Sequence, residues 1–418
     1  MKRLVVKGGT RLNGRVTIGG AKNAVLAVMP AALLAEGETI IENAPVIKDV
    51  QILSDILSVM GARVTRNGTG FKINPAGITS TCPPFELAKK LRASSLFLGP
   101  LLARYGRAVI ALPGGCNIGS RPLDQHIKGL EALGARVELK HGHIEATAKK
   151  LRGNRVYLDV TSVGATENIM MAAALAEGQT VIENAAKEPE IVNLANLLNA
   201  MGCRVMGAGT DIIKIKGAKK LQGVRHTVIP DRIEAGTFMI AAAATDGDVW
   251  VEEVIPEHLE PLIAKLREAG FLVEVEDERI RVRSQGRAPR ALDIKTLPYP
   301  GFPTDLQSPM TVLLTRAKGT SFVKENIFEN RFQHVDELRR MGAQIKVEGR
   351  TAVVEGETSL SGSKVKATDL RAGAALIIAG VMATAETEIY GIEHIYRGYE
   401  NITAKFRSLG AEINEVDE

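Results

Sequence analysis

One phrase returns six times along the 418-residue chain: a polar start, an Ala-rich apolar helix, a Gly or acidic break, a short strand, a second amphipathic helix, and a Gly-containing turn into a further strand. The breaks and strands fall at residues 36–41, 105–110, 177–182, 246–251, 318–323 and 385–390, and the turns at Gly61, Gly134, Gly202, Gly270, Gly342 and Gly410. Each copy spans about 70 residues, too long for the common solenoid repeats. The first helices, such as 168–176, 237–244 and 374–383, are apolar nearly all round. A helix of that kind must be enclosed on every side. The second helices, such as 50–60 and 335–341, alternate apolar and charged positions at helical period and meet a glycine where a C-cap wants one, which predicts surface helices. Beta-branched strands bounded by turn residues then form sheets outside the central helices, in an α/β fold.

The last copy stops after one strand, 411–416, where the others continue into a hairpin, and residues 3–19 carry strand-like residues that precede the first copy. The two ends are therefore expected to meet. Two domains of three copies each result: residues 21–229, carrying the loop around Cys116, and residues 1–20 together with 230–418, with a cleft between them. The crossings fall at Gly19-Gly20-Ala21, which suits a hinge, and near Ile229-Pro230-Asp231.

Composition narrows the function classes. The longest apolar stretch, residues 25–35, contains Pro30 and falls far short of the roughly 20 residues that span a bilayer, so no membrane insertion is expected. The N-terminus returns to charge and glycine before a signal-peptide core can form, and a cytoplasmic protein is expected. Cys82, Cys116 and Cys203 are widely spaced with no C-x-x-C pair, which predicts free thiols rather than a disulfide or zinc framework. His141-Gly142-His143 has no third ligand at a recognised spacing, and no metal is expected. A net charge of +5 is mild, and the run Lys149-Lys150-Leu151-Arg152 has no interleaved aromatics, which argues against a nucleic-acid partner.

The six helix starts are Lys22-Asn23, Arg92-Ala93-Ser94, residues 162–168, Asp231-Arg232, Asp305-Leu306-Gln307 and Asp369-Leu370-Arg371. Helix N-termini present unpaired N–H groups and partial positive charge, so several at one cleft would make an anion site. Most of the Asp, Ser and Asn residues here read as N-caps. Lys22, Arg92 and Arg371 do not: a cation at this end opposes the helix dipole unless an anion or acid offsets it, which points to ligand contacts. The loop Leu112-Pro113-Gly114-Gly115-Cys116-Asn117-Ile118-Gly119-Ser120-Arg121 sets a cysteine among glycines, where substrate can reach it, with Arg121 and His126 near enough in sequence to lower its pKa. Arg331 and Arg397 occupy equivalent loops of later copies.

Gly19-Gly20-Ala21-Lys22-Asn23, Arg92-Ala93-Ser94, Pro113-Gly114-Gly115-Cys116, Arg121-Pro122-Leu123-Asp124, Phe302-Pro303-Thr304-Asp305, Glu329-Asn330-Arg331-Phe332, Asp369-Leu370-Arg371 and Arg397-Gly398-Tyr399 together resemble, over the whole chain, the UDP-N-acetylglucosamine 1-carboxyvinyltransferases of the EPSP synthase superfamily. The resemblance implies an inside-out α/β barrel fold, with two domains each of three βαβαββ units around buried helices. It implies transfer of the enolpyruvyl group of phosphoenolpyruvate to the 3'-hydroxyl of UDP-N-acetylglucosamine, with no cofactor.

By the same resemblance Asp305 is the base on the sugar hydroxyl, and Cys116 the acid at C3 of phosphoenolpyruvate or the thiol of a phospholactoyl adduct. Lys22, Arg92, Arg121 and Arg397 hold phosphate and carboxylate, and Asn23 hydrogen-bonds the reacting centre. Arg121, Pro122, Leu123, Asp124, Gln125, Asp305 and Ile327 line the nucleotide-sugar site. Ser162, Val163 and Gly164 approach diphosphate and uridine. Asp369, Arg371 and Arg331 join the cleft network. The alternative is an enzyme like 3-phosphoshikimate 1-carboxyvinyltransferase, which shares the architecture and phosphoenolpyruvate; the cysteine in the Gly-Gly loop argues against it. An RNA 3'-terminal cyclase is disfavoured by the mild charge, and an inert scaffold by the charged helix starts.

Overall fold

The computed structural model describes residues 2–112, 118–119, 122–140 and 142–417. They form two compact units. One comprises residues 20–112 and 122–229; the other, the terminal unit, comprises 2–19, 118–119 and 230–417. Ile118 and Gly119 count with the terminal unit, where the Asn330 amide donates to the Ile118 carbonyl (3.0 Å).

In the 20–229 unit the first helices of the three copies are α1 (Lys22–Ala31), α2 (Leu98–Tyr105) and, beyond the second-copy surface helix α3 (Asp124–Ala132), α4 (Val163–Ala173). Every residue of α4 from Ala165 to Ala173 is buried. Helix α2 crosses α4 so closely that a Cβ on Gly99 would lie 2.3 Å from the Asn168 carbonyl oxygen, so only glycine fits there. In the terminal unit the corresponding helices are α5 (Arg232–Ala244), α6 (Gln307–Leu314) and, after the surface helix α7 (His334–Arg340), α8 (Leu370–Met382). Helices α5, α6 and α8 pack on one another through Ala, Leu, Ile and Met side chains. Burying each of the larger of these contributes about 1.5–3 kcal/mol, which holds the three helices together.

Among the described residues, five sheets of four strands and one of three lie outside these helices, one per copy, with a further two-stranded pairing in the 20–229 unit. The chain ends do meet. Strand β1 (Lys2–Val6) runs antiparallel between β4 (Thr387–Tyr390) and β5 (Ile413–Asp417), while β2 (Asn13–Thr17) lies parallel to β3 (Asp248–Glu252) in the sheet of the fourth copy. No described helix is long and apolar enough to cross a membrane.

The helix starts depart from expectation in two places. Arg92 opens a 3-10 turn, Arg92–Phe97, that precedes α2, and Asp305 sits inside another, Thr304–Leu306, that precedes α6. Neither side chain occupies a cap. Pro100 and Pro309 follow in the first turns of α2 and α6, where their missing N–H leaves no helical bond unmade.

The role of β1 is testable. Leu4 is fully buried between two partner strands of distant sequence, so Leu4→Ala should lower the unfolding free energy by about 2–4 kcal/mol. A denaturant titration with an unchanged midpoint would show that the terminal unit does not depend on this strand.

Candidate active site

In the terminal unit, Asp305 is the one acid among the helix starts whose carboxylate meets side chains instead of a cap. Arg331 Nη2 donates to its Oδ1 (2.9 Å) and Arg371 Nη2 to its Oδ2 (2.9 Å). Both guanidinium side chains are almost wholly enclosed, at 2% and 4% exposure, whereas the aspartate keeps 24%. A buried cation without a counter-charge is costly, so each arginine fixes the carboxylate as firmly as the carboxylate fixes it. Each also stacks on an aromatic ring: Arg331 Cζ lies 5.8 Å from the centre of Phe328, and Arg371 Cζ 5.3 Å from Tyr399. Burial disfavours the Arg371 charge, but Asp305, Tyr399 and Asp231 together outweigh it and hold the guanidinium above its ordinary pKa.

The surroundings fix this clamp. Arg331 opens the turn Arg331–Gln333 ahead of α7, and its carbonyl is 3.2 Å from His334 Nδ1; a carbonyl only accepts, so Nδ1 carries the proton. Asp369 is an N-cap, its Oδ1 accepting from the amides of Arg371 (2.8 Å) and Ala372 (3.2 Å). Arg397 ends the turn Ile392–Arg397, partly buried. Ile327 is half-buried, its amide bonded to Glu325 Oε1 (2.7 Å). Glu325 was not legible as a site residue. It is fully buried and gathers the hydroxyls of Thr296 (2.8 Å) and Thr304 (2.9 Å), so it ties the Asp305 turn to the Ile327 loop.

In the 20–229 unit, Lys22 is buried at the start of α1 and pairs with Asp49 at 2.7 Å, and the exposed Asn23 reaches Glu190 Oε1 at 3.5 Å. Glu190 and Glu188 border Glu167 of α4, whose carboxyl is raised well above its ordinary range, first by burial and then by these two neighbours. Arg92 is partly buried. At the helix starts of Lys22 and Arg371 the acids Asp49 and Asp305 offset the cation, because these ends are too enclosed for a solvated ammonium or guanidinium.

The starts of α3 and α4 come together. Gln125 accepts from the Asp159 amide (2.8 Å) and donates to the carboxylates of Asp124 (2.8 Å) and Asp159 (3.2 Å). Ser162 caps α4 through the Ala165 amide (3.3 Å), and the following Val163 and Gly164 are half-buried, while Pro122 is exposed and Leu123 half-buried. A Cβ on Gly164 would lie 3.3 Å from His126 Nε2. Asn168 sets the histidine tautomer. Its Oδ1 accepts from the Gly99 amide (2.8 Å), so its Nδ2 faces both the Ser95 carbonyl (2.9 Å) and His126 Nδ1 (2.8 Å), which must accept. Cys116 and Arg121 lie outside the described residues.

The sequence pattern of the EPSP synthase (3-phosphoshikimate 1-carboxyvinyltransferase) family matches residues 6–406. UDP-N-acetylglucosamine 1-carboxyvinyltransferase 2 of Carboxydothermus hydrogenoformans is 58% identical over the whole of both chains. The chain belongs to this family. UDP-N-acetylglucosamine 1-carboxyvinyltransferase 3 of Caldanaerobacter subterraneus subsp. tengcongensis is 54% identical over the whole of both chains, and enzyme 2 of Bacillus subtilis is 54% identical over 99% of this chain and 96% of its own. The enolpyruvyl transferase NikO from Streptomyces tendae shares the fold of these transferases with a TM-score of 0.91 at 24% identity, covering 99% of each chain. EPSP synthase from Acinetobacter baumannii shares it at 0.79 and 20% identity over the whole of both.

Burial pushes His126 down to about 4, against the pull of Asp124, and pushes His334 down to about 4, against that of Asp369. The unfolded chain protonates its histidines first, near 6.5, so stability present above that pH is lost as pH falls toward 4. At pH 5 the loss is about 2 kcal/mol for each histidine. In His126→Gln, which still offers Asn168 an acceptor, the fall in unfolding free energy between pH 7.5 and 5 should shrink by about 2 kcal/mol; an identical fall would contradict the buried neutral imidazole.

Proposed function

We infer that this chain is a UDP-N-acetylglucosamine 1-carboxyvinyltransferase. It transfers the enolpyruvyl group of phosphoenolpyruvate to the 3'-hydroxyl of UDP-N-acetylglucosamine and releases phosphate, the step that commits the sugar to peptidoglycan. The observation that carries this reading is identity of 54–58% along the full chain with enzymes of that name.

The chemistry has two halves. In the first, the sugar oxygen loses its proton and bonds to C2 of phosphoenolpyruvate while C3 gains a proton, giving a tetrahedral ketal. In the second, C3 returns a proton and the C2–O bond to phosphate breaks, leaving the enol ether. On this reading Asp305 takes the hydroxyl proton. Its two guanidinium bonds support the assignment, since they fix where the carboxylate oxygens stand and leave each a further lone pair. Arg331 and Arg371 orient it. Cys116 delivers the proton to C3 or forms the phospholactoyl thioether.

Lys22, Arg92, Arg121 and Arg397 meet the phosphate and carboxylate, with Asn23 beside the reacting carbon. The fixed Lys22–Asp49 pair supports a lysine that is already oriented before substrate arrives. Asp124, Gln125, Pro122, Leu123 and Ile327 line the nucleotide-sugar site, with the start of α4 at Ser162, Val163 and Gly164 toward the diphosphate. That helix end supports the reading with oriented amides beside the imidazole of His126. Asp369 keeps Arg371 at the head of its helix.

Phosphate release measured with phosphoenolpyruvate and UDP-N-acetylglucosamine should be rapid, and should be absent with shikimate 3-phosphate as acceptor; the reverse would overturn the reading. Cys116→Ser should lose turnover with sugar-nucleotide affinity nearly intact, and full activity would remove the thiol from the chemistry. Asp305→Ala should cut kcat by about 100-fold or more, the usual scale for a lost general base. An unchanged kcat would refute its assignment.

A further inference from the structure

We propose that Tyr399 and Thr237 form a positioning pair that holds the Arg371 guanidinium, and through it the Asp305 carboxylate, in the orientation proton abstraction requires; this rests on the reading of Asp305 as base. Tyr399 follows the turn Ile392–Arg397 and is 2% exposed, and Thr237 is wholly buried in α5. Their hydroxyl oxygens are 2.8 Å apart. Thr237 Oγ1 also lies 2.7 Å from the Ile233 carbonyl. That carbonyl can only accept, which sets the direction of the whole chain. The threonine proton goes to Ile233, so the tyrosine proton goes to Thr237. The phenol oxygen therefore turns a lone pair, and not a proton, toward the guanidinium, whose Cζ lies 5.3 Å from the centre of the ring and whose Nη2 donates to Asp305.

The arrangement joins three copies of the repeat: α5 supplies Thr237, the last copy supplies Tyr399 and Arg371, and the fifth supplies Asp305. Burial makes it directional. With no Thr237 hydroxyl, the phenol proton loses its acceptor in a place closed to bulk water, and a phenol that turns its O–H toward the cation repels it. The guanidinium then shifts or loosens, and the aspartate loses one of its two fixed partners. Tyr399 and Thr237 act on Asp305 through Arg371.

Thr237→Val keeps the shape of the side chain and removes the hydroxyl, Thr237→Ser keeps the hydroxyl, and Tyr399→Phe removes the phenol oxygen. The full-length variants are assayed by phosphate release with phosphoenolpyruvate and UDP-N-acetylglucosamine. Thr237→Val and Tyr399→Phe should each lower kcat about 10-fold, the scale of one oriented hydrogen bond, with the KM for the sugar nucleotide within about twofold of the parent. Thr237→Ser should restore kcat. In an Asp305→Glu background, whose carboxylate is already displaced, neither change should lower the residual rate further.

Parent kcat in both Thr237→Val and Tyr399→Phe would overturn the proposal, as would a rise in KM alone, or an equal loss in the Asp305→Glu background. Failure of the base assignment reads differently: Asp305→Asn would then turn over at the parent rate, whereas failure of the pair alone leaves Asp305→Asn inactive and Thr237→Val normal.

Discussion

A helix that is apolar on every face has no stable place at a surface. The six central helices therefore dictate the rest of the structure: each unit must wrap three of them in sheets and amphipathic helices, and both chain ends must be recruited so that the terminal unit closes its last sheet with β1. Beyond their first two turns such helices carry little chemistry. Polar groups are confined to the ends, where backbone amides need partners in any case. This is why Lys22, Asp305, Asp369 and Arg371 all stand within a turn of a buried helix start.

Enclosure then decides what those groups do. A charge drawn out of water must find a counter-charge or hydrogen-bond partners, and the two units meet that demand in the same way, with Lys22 on Asp49 in one and two arginines on Asp305 in the other. The pairs hold their members still. A carboxylate gripped by two guanidiniums, with each of those backed by an aromatic ring, keeps one orientation at little cost when substrate arrives. Neutral histidines do the complementary work: His126 accepts from Asn168 and His334 donates to Arg331, so each braces a neighbouring segment while adding no charge to an enclosed site.

Much of this was legible in the residues. The periodicity showed which helices are buried, because an all-apolar face has only one physical reading, and the truncated sixth copy announced that the N-terminus would complete it. The caps at Ser162, Asp231 and Asp369 followed from residue type and place. The partners of the cations did not. Asp49 lies in the second helix of its copy and Tyr399 beyond a turn, far in sequence from Lys22 and from Thr237, and no local pattern marks an acid or a phenol that a distant cation will need. Glu325 was missed for the same reason: in sequence it is one more charge at the end of a strand, and only the enclosed hydroxyls of Thr296 and Thr304 reveal its task. The 3-10 turns at Arg92 and Asp305 escaped because a helix start and a short turn leading into one share the same polar residues.

The most direct measurement is a crystal structure of the protein with UDP-N-acetylglucosamine and an unreactive phosphoenolpyruvate analogue bound. The sugar 3'-oxygen should lie about 3 Å from an Asp305 carboxylate oxygen while Arg331 and Arg371 keep their bonds to the same group. A 3'-hydroxyl resting on some other acid or base, with Asp305 turned away from the sugar, would contradict that placement.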